Sequence, residues 1–160
     1  FLYFNLTILN LFVIHIQKIV KLLKVNSERK TMSDQFEPNS IEFSEIKRIA
    51  ESAEDKAVLM LNLNRYVPTA AYPNGELYKS YMMALNQLLD QLGGRILWQM
   101  PSFGQPLGGE KLDEIIGIWY PSHKAFLKLR EMPGSAENFK LRGMCVEYAV
   151  LHRCPGDMFI

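Results

Sequence analysis

The chain has 160 residues, 48% hydrophobic and 22% charged, an ordinary globular balance that accommodates one domain with an appendage. Its formal net charge is +1 and its Lys and Arg are scattered, which excludes the basic footprint of a nucleic-acid binder and gives an acidic partner no support. Two cysteines, Cys145 and Cys154, without C-x-x-C spacing, form neither a disulfide framework nor a zinc site, so reduced thiols in a cytoplasmic protein are expected.

Phe1–Asn26 contains no Gly, Ala, Pro or Arg, whereas all ten Gly and all eight Pro lie beyond Met32, the first methionine. Residues 1–31 therefore read as translated sequence upstream of a start at Met32. Two other readings stand beside this one. As a transmembrane helix, Phe1–Leu23 has roughly the needed ~20 residues, but Asn5, Asn10, His15, Gln17, Lys18 and Lys21 interrupt it at a cost in hydrocarbon. Lys18, Lys21 and Lys24 beside Ile14, Ile16, Ile19 and Val20 would also suit a basic amphipathic helix on a membrane surface. Membrane association is the less favoured expectation.

Residues 32–56 form a lead-in. Ser40 is a candidate N-cap, and Ile41, Ile46, Ile49, Ala50 and Ala53 recur at near-helical spacing, which predicts a helix over Ser40–Ala53. Residues 57–154 form the domain proper. Val58–Tyr66 reads as a strand whose side chains alternate between faces. Leu59, Leu61 and Leu63 share a face suited to packing under helices. Met60, Asn62, Asn64 and Tyr66 share the other, half apolar and half hydrogen-bonding, which suits a cavity wall or a subunit interface.

Pro68, Pro73 and Asn74-Gly75 mark a loop. Glu76–Leu92 carries a stripe of Leu77, Tyr81, Ala84, Leu85, Leu88, Leu89 and Leu92, stopped by Gly93, and is the clearest helix. Arg95–Met100 and Asp113–Tyr120 alternate as strands around a Gly- and Pro-rich loop, 101–112. Ser122 caps a helix running to about Arg130, Ser135–Arg142 forms another, and Val146–His152 is the last strand. Pro155-Gly156 begins a tail, 155–160.

The order β-α-β-β-α-β predicts an α+β, ferredoxin-like sandwich with an N-terminal extra helix. Both helices then cover one face of the sheet and leave the other bare. The bare face is expected to carry Asn62, Asn64 and Tyr66 and to be covered by an identical subunit, giving a dimeric α/β barrel.

Four stretches resemble the DUF1330 family in order and spacing: Met60-Leu61-Asn62-Leu63-Asn64-Arg65-Tyr66, Tyr78-Lys79-Ser80-Tyr81-Met82, Gly93-Gly94-Arg95-Ile96-Leu97 and Tyr120-Pro121-Ser122-His123-Lys124-Ala125-Phe126-Leu127. The resemblance covers about Ile41 to Cys154. It implies a homodimeric barrel of ferredoxin-like subunits and no defined activity, the family being of unknown function. Where that family commonly has Pro-Glu-Tyr-Gln, this chain has Met132-Pro133-Gly134-Ser135-Ala136-Glu137-Asn138-Phe139. The tyrosine is absent or replaced by Phe139. Related dimeric barrels include cofactor-free monooxygenases, lactone isomerases and haem-handling peroxidases, an analogy of fold that does not fix function.

The candidate ligand-binding residues are Asn62, Asn64, Tyr66, Arg95 and Trp119. A buried amide needs a hydrogen-bond partner, which a ligand oxygen, the other subunit or nearby backbone would supply. Arg95 suits a carboxylate, or a surface or intersubunit ion pair. Tyr66, Tyr78, Tyr81, Trp119 and Tyr148 would line an aromatic wall or simply pack. His152 or Tyr148 is the candidate proton carrier in a catalytic reading. Ser122 is explained as a helix cap, and the Gly104–Lys111 stretch lacks the Ser or Thr of a phosphate loop. No metal and no cofactor is expected. The function so read is a small-molecule-binding homodimer for a small hydrophobic or carboxylate-bearing ligand. The alternative is a cofactor-independent monooxygenase or isomerase acting on a hydrophobic oxygenated substrate.

Overall fold

A computed structural model describes residues 39–158, so the expectations for residues 1–31 lie outside the described residues. The elements are α1 Ser40–Ala50, β1 Val58–Tyr66, α2 Glu76–Leu92, β2 Arg95–Pro101, β3 Glu114–Tyr120, α3 His123–Leu127, α4 Ser135–Cys145 and β4 Val146–Pro155. Short 3₁₀ turns at Pro68–Ala70 and Lys128–Arg130 link β1 to α2 and α3 to α4. The strands form one sheet of four in the order β2-β3-β1-β4. Each neighbouring pair is antiparallel. This is the ferredoxin-like α+β arrangement read from the order of elements.

Local chemistry sets most boundaries. α1 starts one residue earlier in its capping than the sequence predicts: the Asn39 side chain, not Ser40, accepts from the amides of Ile41 and Glu42. α1 also stops at Ala50, short of the predicted Ala53. Its Ile46 is 5% exposed and belongs to the main core, so α1 packs with the domain as part of it. Gly93 ends α2 in the left-handed region at φ 68°, a conformation glycine adopts without steric cost. Ser122 caps α3 as expected, its hydroxyl accepting from the Ala125 amide at 3.0 Å. α4 runs to Cys145 and β4 to Pro155, both three residues beyond the predicted ends. β4 is lengthened because Leu59 and Val58 pair with Cys154 and Pro155.

The faces of β1 are the reverse of the expectation. Val58, Met60, Asn62, Asn64 and Tyr66 are the buried set, and Leu59, Leu61 and Leu63 are half-buried. The buried set packs with Tyr78, Tyr81, Met82, Leu85 and Leu89 of α2 and with Ile116, Ile118 and Tyr120 of β3. The asparagines are tolerated under the helices because Asn64 donates to the Tyr66 hydroxyl and Asn62 to the Met60 carbonyl. The leucines are left on the outer face.

That outer face is apolar at its centre. Leu59, Leu61 and Leu63 lie opposite Trp119, Gly117 and Ile115 of β3. Across β3, a bulge between Ile96 and Trp98 shifts the register of β2 and lays the Trp98 indole over Gly117. A Cβ added at Gly117 would sit 2.6 Å from Trp98 Cε2. Gly117→Val is therefore expected to displace the indole and to destabilise the fold by roughly 1–3 kcal/mol. Tryptophan emission and a urea midpoint measured on the variant would check this; an unchanged spectrum and midpoint would show that the indole is not held there.

Candidate functional site

The polar residues buried under α2 converge on Glu114. This residue heads β3, in phase with Ile116, Ile118 and Tyr120, and is 1% exposed. A carboxyl so deeply buried requires hydrogen-bond partners. The Tyr66 hydroxyl donates to its Oε2 at 2.5 Å and the Tyr78 hydroxyl to its Oε1 at 2.7 Å. Asn64, fully buried, donates through Nδ2 to the Tyr66 hydroxyl at 3.4 Å. Its Oδ1 has no partner among the described residues. Asn62, two residues earlier on the same face, turns its amide back onto the Met60 carbonyl at 3.1 Å.

Tyr72 closes the cluster on the solvent side. It is half-buried, stacks on Tyr66 with centroids 5.0 Å apart, and meets Tyr78 edge-on at 4.9 Å. Tyr66 and Tyr78 are themselves edge-to-face at 5.2 Å, the geometry that ring quadrupoles favour. The end of the strand is fixed by Asp113, whose carboxylate accepts from the Tyr66 amide at 2.8 Å and whose own amide donates to the Asn64 carbonyl at 2.9 Å.

Burial holds the Glu114 carboxyl above the usual carboxylate range, against the opposing pull of the Tyr66 and Tyr78 hydroxyls. The same burial, reinforced by hydrogen bonding to Glu114, pushes the Tyr66 and Tyr78 phenols up. Tyr72, more open, is pushed up to about 12, mainly by burial. The group as a whole favours neutral, proton-bearing oxygens. Such an arrangement can hold a polar oxygen or nitrogen of a guest, and a carboxyl inclined to keep its proton can exchange one.

The seven sequence-predicted residues divide between the two sides of the sheet. Asn62, Asn64 and Tyr66 lie under the helices. Tyr148 and His152 pair with Arg65 and Leu61, and Arg95 pairs with Trp119, all on the outer face. There Arg95 lies over the Trp119 ring at 4.7 Å from its centroid, and Arg65 over Tyr148 at 5.1 Å. Trp119 Nε1 donates to the Gly156 carbonyl at 3.0 Å. His152 is exposed. The sheet itself separates the two groups, so His152 and Tyr148 cannot serve a molecule held by Asn64.

Glu114 and Tyr72 are absent from the candidate list read from the sequence. A signal for Glu114 existed: in an Ile-rich strand it occupies the same phase as Ile116 and Ile118. Among the described residues, no group of three His, Cys, Asp or Glu is arranged to hold a metal ion, and no helix is long and apolar enough to cross a membrane.

No family model matches the chain, and no curated protein does. Solved structures do. RPA0582, a protein of unknown function from Rhodopseudomonas palustris, is 29% identical with a TM-score of 0.62, the match covering 77% of this chain and 96% of that one. The methylated RPA0582 protein is 30% identical with a TM-score of 0.60, over 74% of this chain and 91% of that one. Identity at that level across nearly the whole of the other protein means that the chain belongs to the same family as RPA0582.

Proposed function

We propose that the chain is a DUF1330-type homodimer that joins its outer sheet faces and holds a small oxygen- or nitrogen-bearing molecule at the Glu114 cluster. The observation that carries the ligand reading is Asn64: a fully buried amide whose Oδ1 lacks a partner among the described residues, beside a carboxyl and two phenols. An unsatisfied buried acceptor costs roughly 1–3 kcal/mol, and a donor on a guest molecule would recover it. The half-buried Tyr72 is the side chain such a guest must pass. The dimer reading rests on the outer face, where half-buried Leu59, Leu61, Leu63, Ile115 and Trp119 form a continuous apolar surface of the kind that marks an interface. A cytoplasmic location belongs to the same reading, supported by the two free thiols, Cys145 and Cys154.

Native mass spectrometry of protein from its source tests both parts together. The expected result is a species of twice the chain mass carrying a bound small molecule, and Asn64→Leu should lose the adduct while remaining a dimer. A single bare chain at micromolar concentration would overturn the reading.

The catalytic alternative is favoured by one observation, the raised carboxyl of Glu114 among phenols. In that reading Glu114, in place of His152 or Tyr148, exchanges the proton with the substrate.

A further inference from the structure

A second site lies at the other end of the sheet. There a cavity of about 400 Å³ opens between the end of β4, the turn after α1 and the start of α3. Its volume falls in the ~300–1,000 Å³ range of small-molecule pockets. The cavity adjoins the Val58 end of β1, whereas Glu114 pairs with Asn64, about 20 Å further along an extended strand. The two sites are therefore separate.

Three features of the lining point to one class of ligand. Ile49, Ala57 and Pro155 form an apolar wall. Arg153 reaches in from β4 and is braced on two sides. Its Nε and Nη2 each lie 3.2 Å from Glu42 Oε2, and its Nη1 lies 3.5 Å from His123 Nε2. His123 is 8% exposed and is held in turn by Asp55. The Asp55 Oδ1 accepts from the His123 backbone amide at 2.7 Å and stands 3.3 Å from its Nδ1. A guanidinium has five N–H donors. With three directed at Glu42 and His123, Arg153 keeps one N–H on each of Nη1 and Nη2, the number a carboxylate's two oxygens can accept.

Lys56, also in the lining, makes no side-chain ion pair or hydrogen bond among the described residues. Glu54 and Asp157 line the cavity as well and oppose an anion. Both are exposed, however, where water and salt screen them, and Glu54 is already 3.7 Å from Arg48.

We propose that this cavity binds a small carboxylate with a short apolar tail, the carboxylate on Arg153 and Lys56 and the tail on Ile49, Ala57 and Pro155. Sodium hexanoate is the probe, titrated into the full chain and followed by amide shifts in ¹H–¹⁵N spectra. Saturable shifts are expected at residues 54–57, 123, 153, 154, 156 and 157, with hexan-1-ol and hexylamine producing none. Arg153→Met should raise the dissociation constant by about tenfold or more. Because that variant also strips Glu42 of its partner, Lys56→Met provides a second arm: its side chain is exposed, the fold is unaffected, and affinity should fall severalfold. The proposal is overturned by unsaturated or scattered shifts up to ~20 mM hexanoate, by equal binding of hexan-1-ol, or by unchanged affinity in Lys56→Met. Loss of hexanoate binding with retention of an adduct dependent on Asn64 would separate this site from the Glu114 cluster.

Discussion

Glu114→Leu should lower the unfolding free energy by roughly 2–6 kcal/mol, because two buried phenols lose their acceptor at ~1–3 kcal/mol each. That is a large share of the ~5–15 kcal/mol typical of a whole domain. The hydroxyls of Tyr66 and Tyr78 both end on this carboxyl, and Glu114 is too deeply buried for water to replace it. Urea denaturation followed by far-UV circular dichroism measures the loss. A second result separates orphaned hydroxyls from plain shape change. Adding Tyr66→Phe and Tyr78→Phe to the leucine variant removes the two donors that lost their partner; it also takes the acceptor from Asn64 Nδ2, one orphan against two removed, and should still restore part of the stability. If the triple variant is as unstable as the sum of its parts, the network is not what Glu114 contributes.

The same carboxyl has a pH signature. Its folded value lies above the ordinary 4.5, so the native state binds this proton more tightly than the unfolded chain does. The stability it contributes is complete below the ordinary value and is lost as pH rises through the raised folded value. Glu114→Gln keeps the shape and cannot titrate. The stability difference between wild type and Glu114→Gln should therefore move against wild type as pH is raised from about 4 toward about 8, and level off above the folded value. A difference that stays flat across that range would show that burial does not favour the protonated carboxyl.

The second large effect is expected at Leu61. This side chain lies at the middle of the outer face, opposite Gly117 on one side and His152 on the other. In a dimer of facing sheets it would be among the first groups removed from water. An unpaired charge buried at such a place costs several kcal/mol, about 3–5 by comparison with broken buried ion pairs. Leu61→Glu should accordingly convert the proposed dimer to a monomer at micromolar concentration, as measured by sedimentation or light scattering. Far-UV circular dichroism should be unchanged, because the substitution leaves the Met60–Asn62–Asn64 side untouched. A Leu61→Glu protein that remains dimeric would place the interface elsewhere.

Much of this architecture was legible in one dimension. The Leu stripe and Gly93 located α2 to the residue. The alternation along Val58–Tyr66 defined β1, and the order of elements defined the sheet. These are local signals: a helix period, a positive-φ stop and a strand period each act within a few residues. The ends of α1 and β4 were less legible because they depend on distant partners. β4 continues to Pro155 only because Val58, almost a hundred residues earlier in the chain, pairs with it.

What local sequence could not decide was which face of β1 is buried. A row of leucines is ordinarily the better core, and by hydrophobicity alone Leu59, Leu61 and Leu63 belong under the helices. The choice went to the face of Asn62, Asn64 and Tyr66: there the Tyr66 hydroxyl meets Glu114 of β3, which also accepts from Tyr78 of α2, and those residues meet only after the chain has folded. The same event placed Glu114, absent from the candidates read from the sequence, at the centre of the candidate site, and left Arg95, Trp119, Tyr148 and His152 on the opposite side of the sheet. The sequence by itself determined that β1 has one hydrogen-bonding face. Only the tertiary structure decided that this face turns inward, since the Tyr66 phenol and the Glu114 carboxyl that pair there come from different strands.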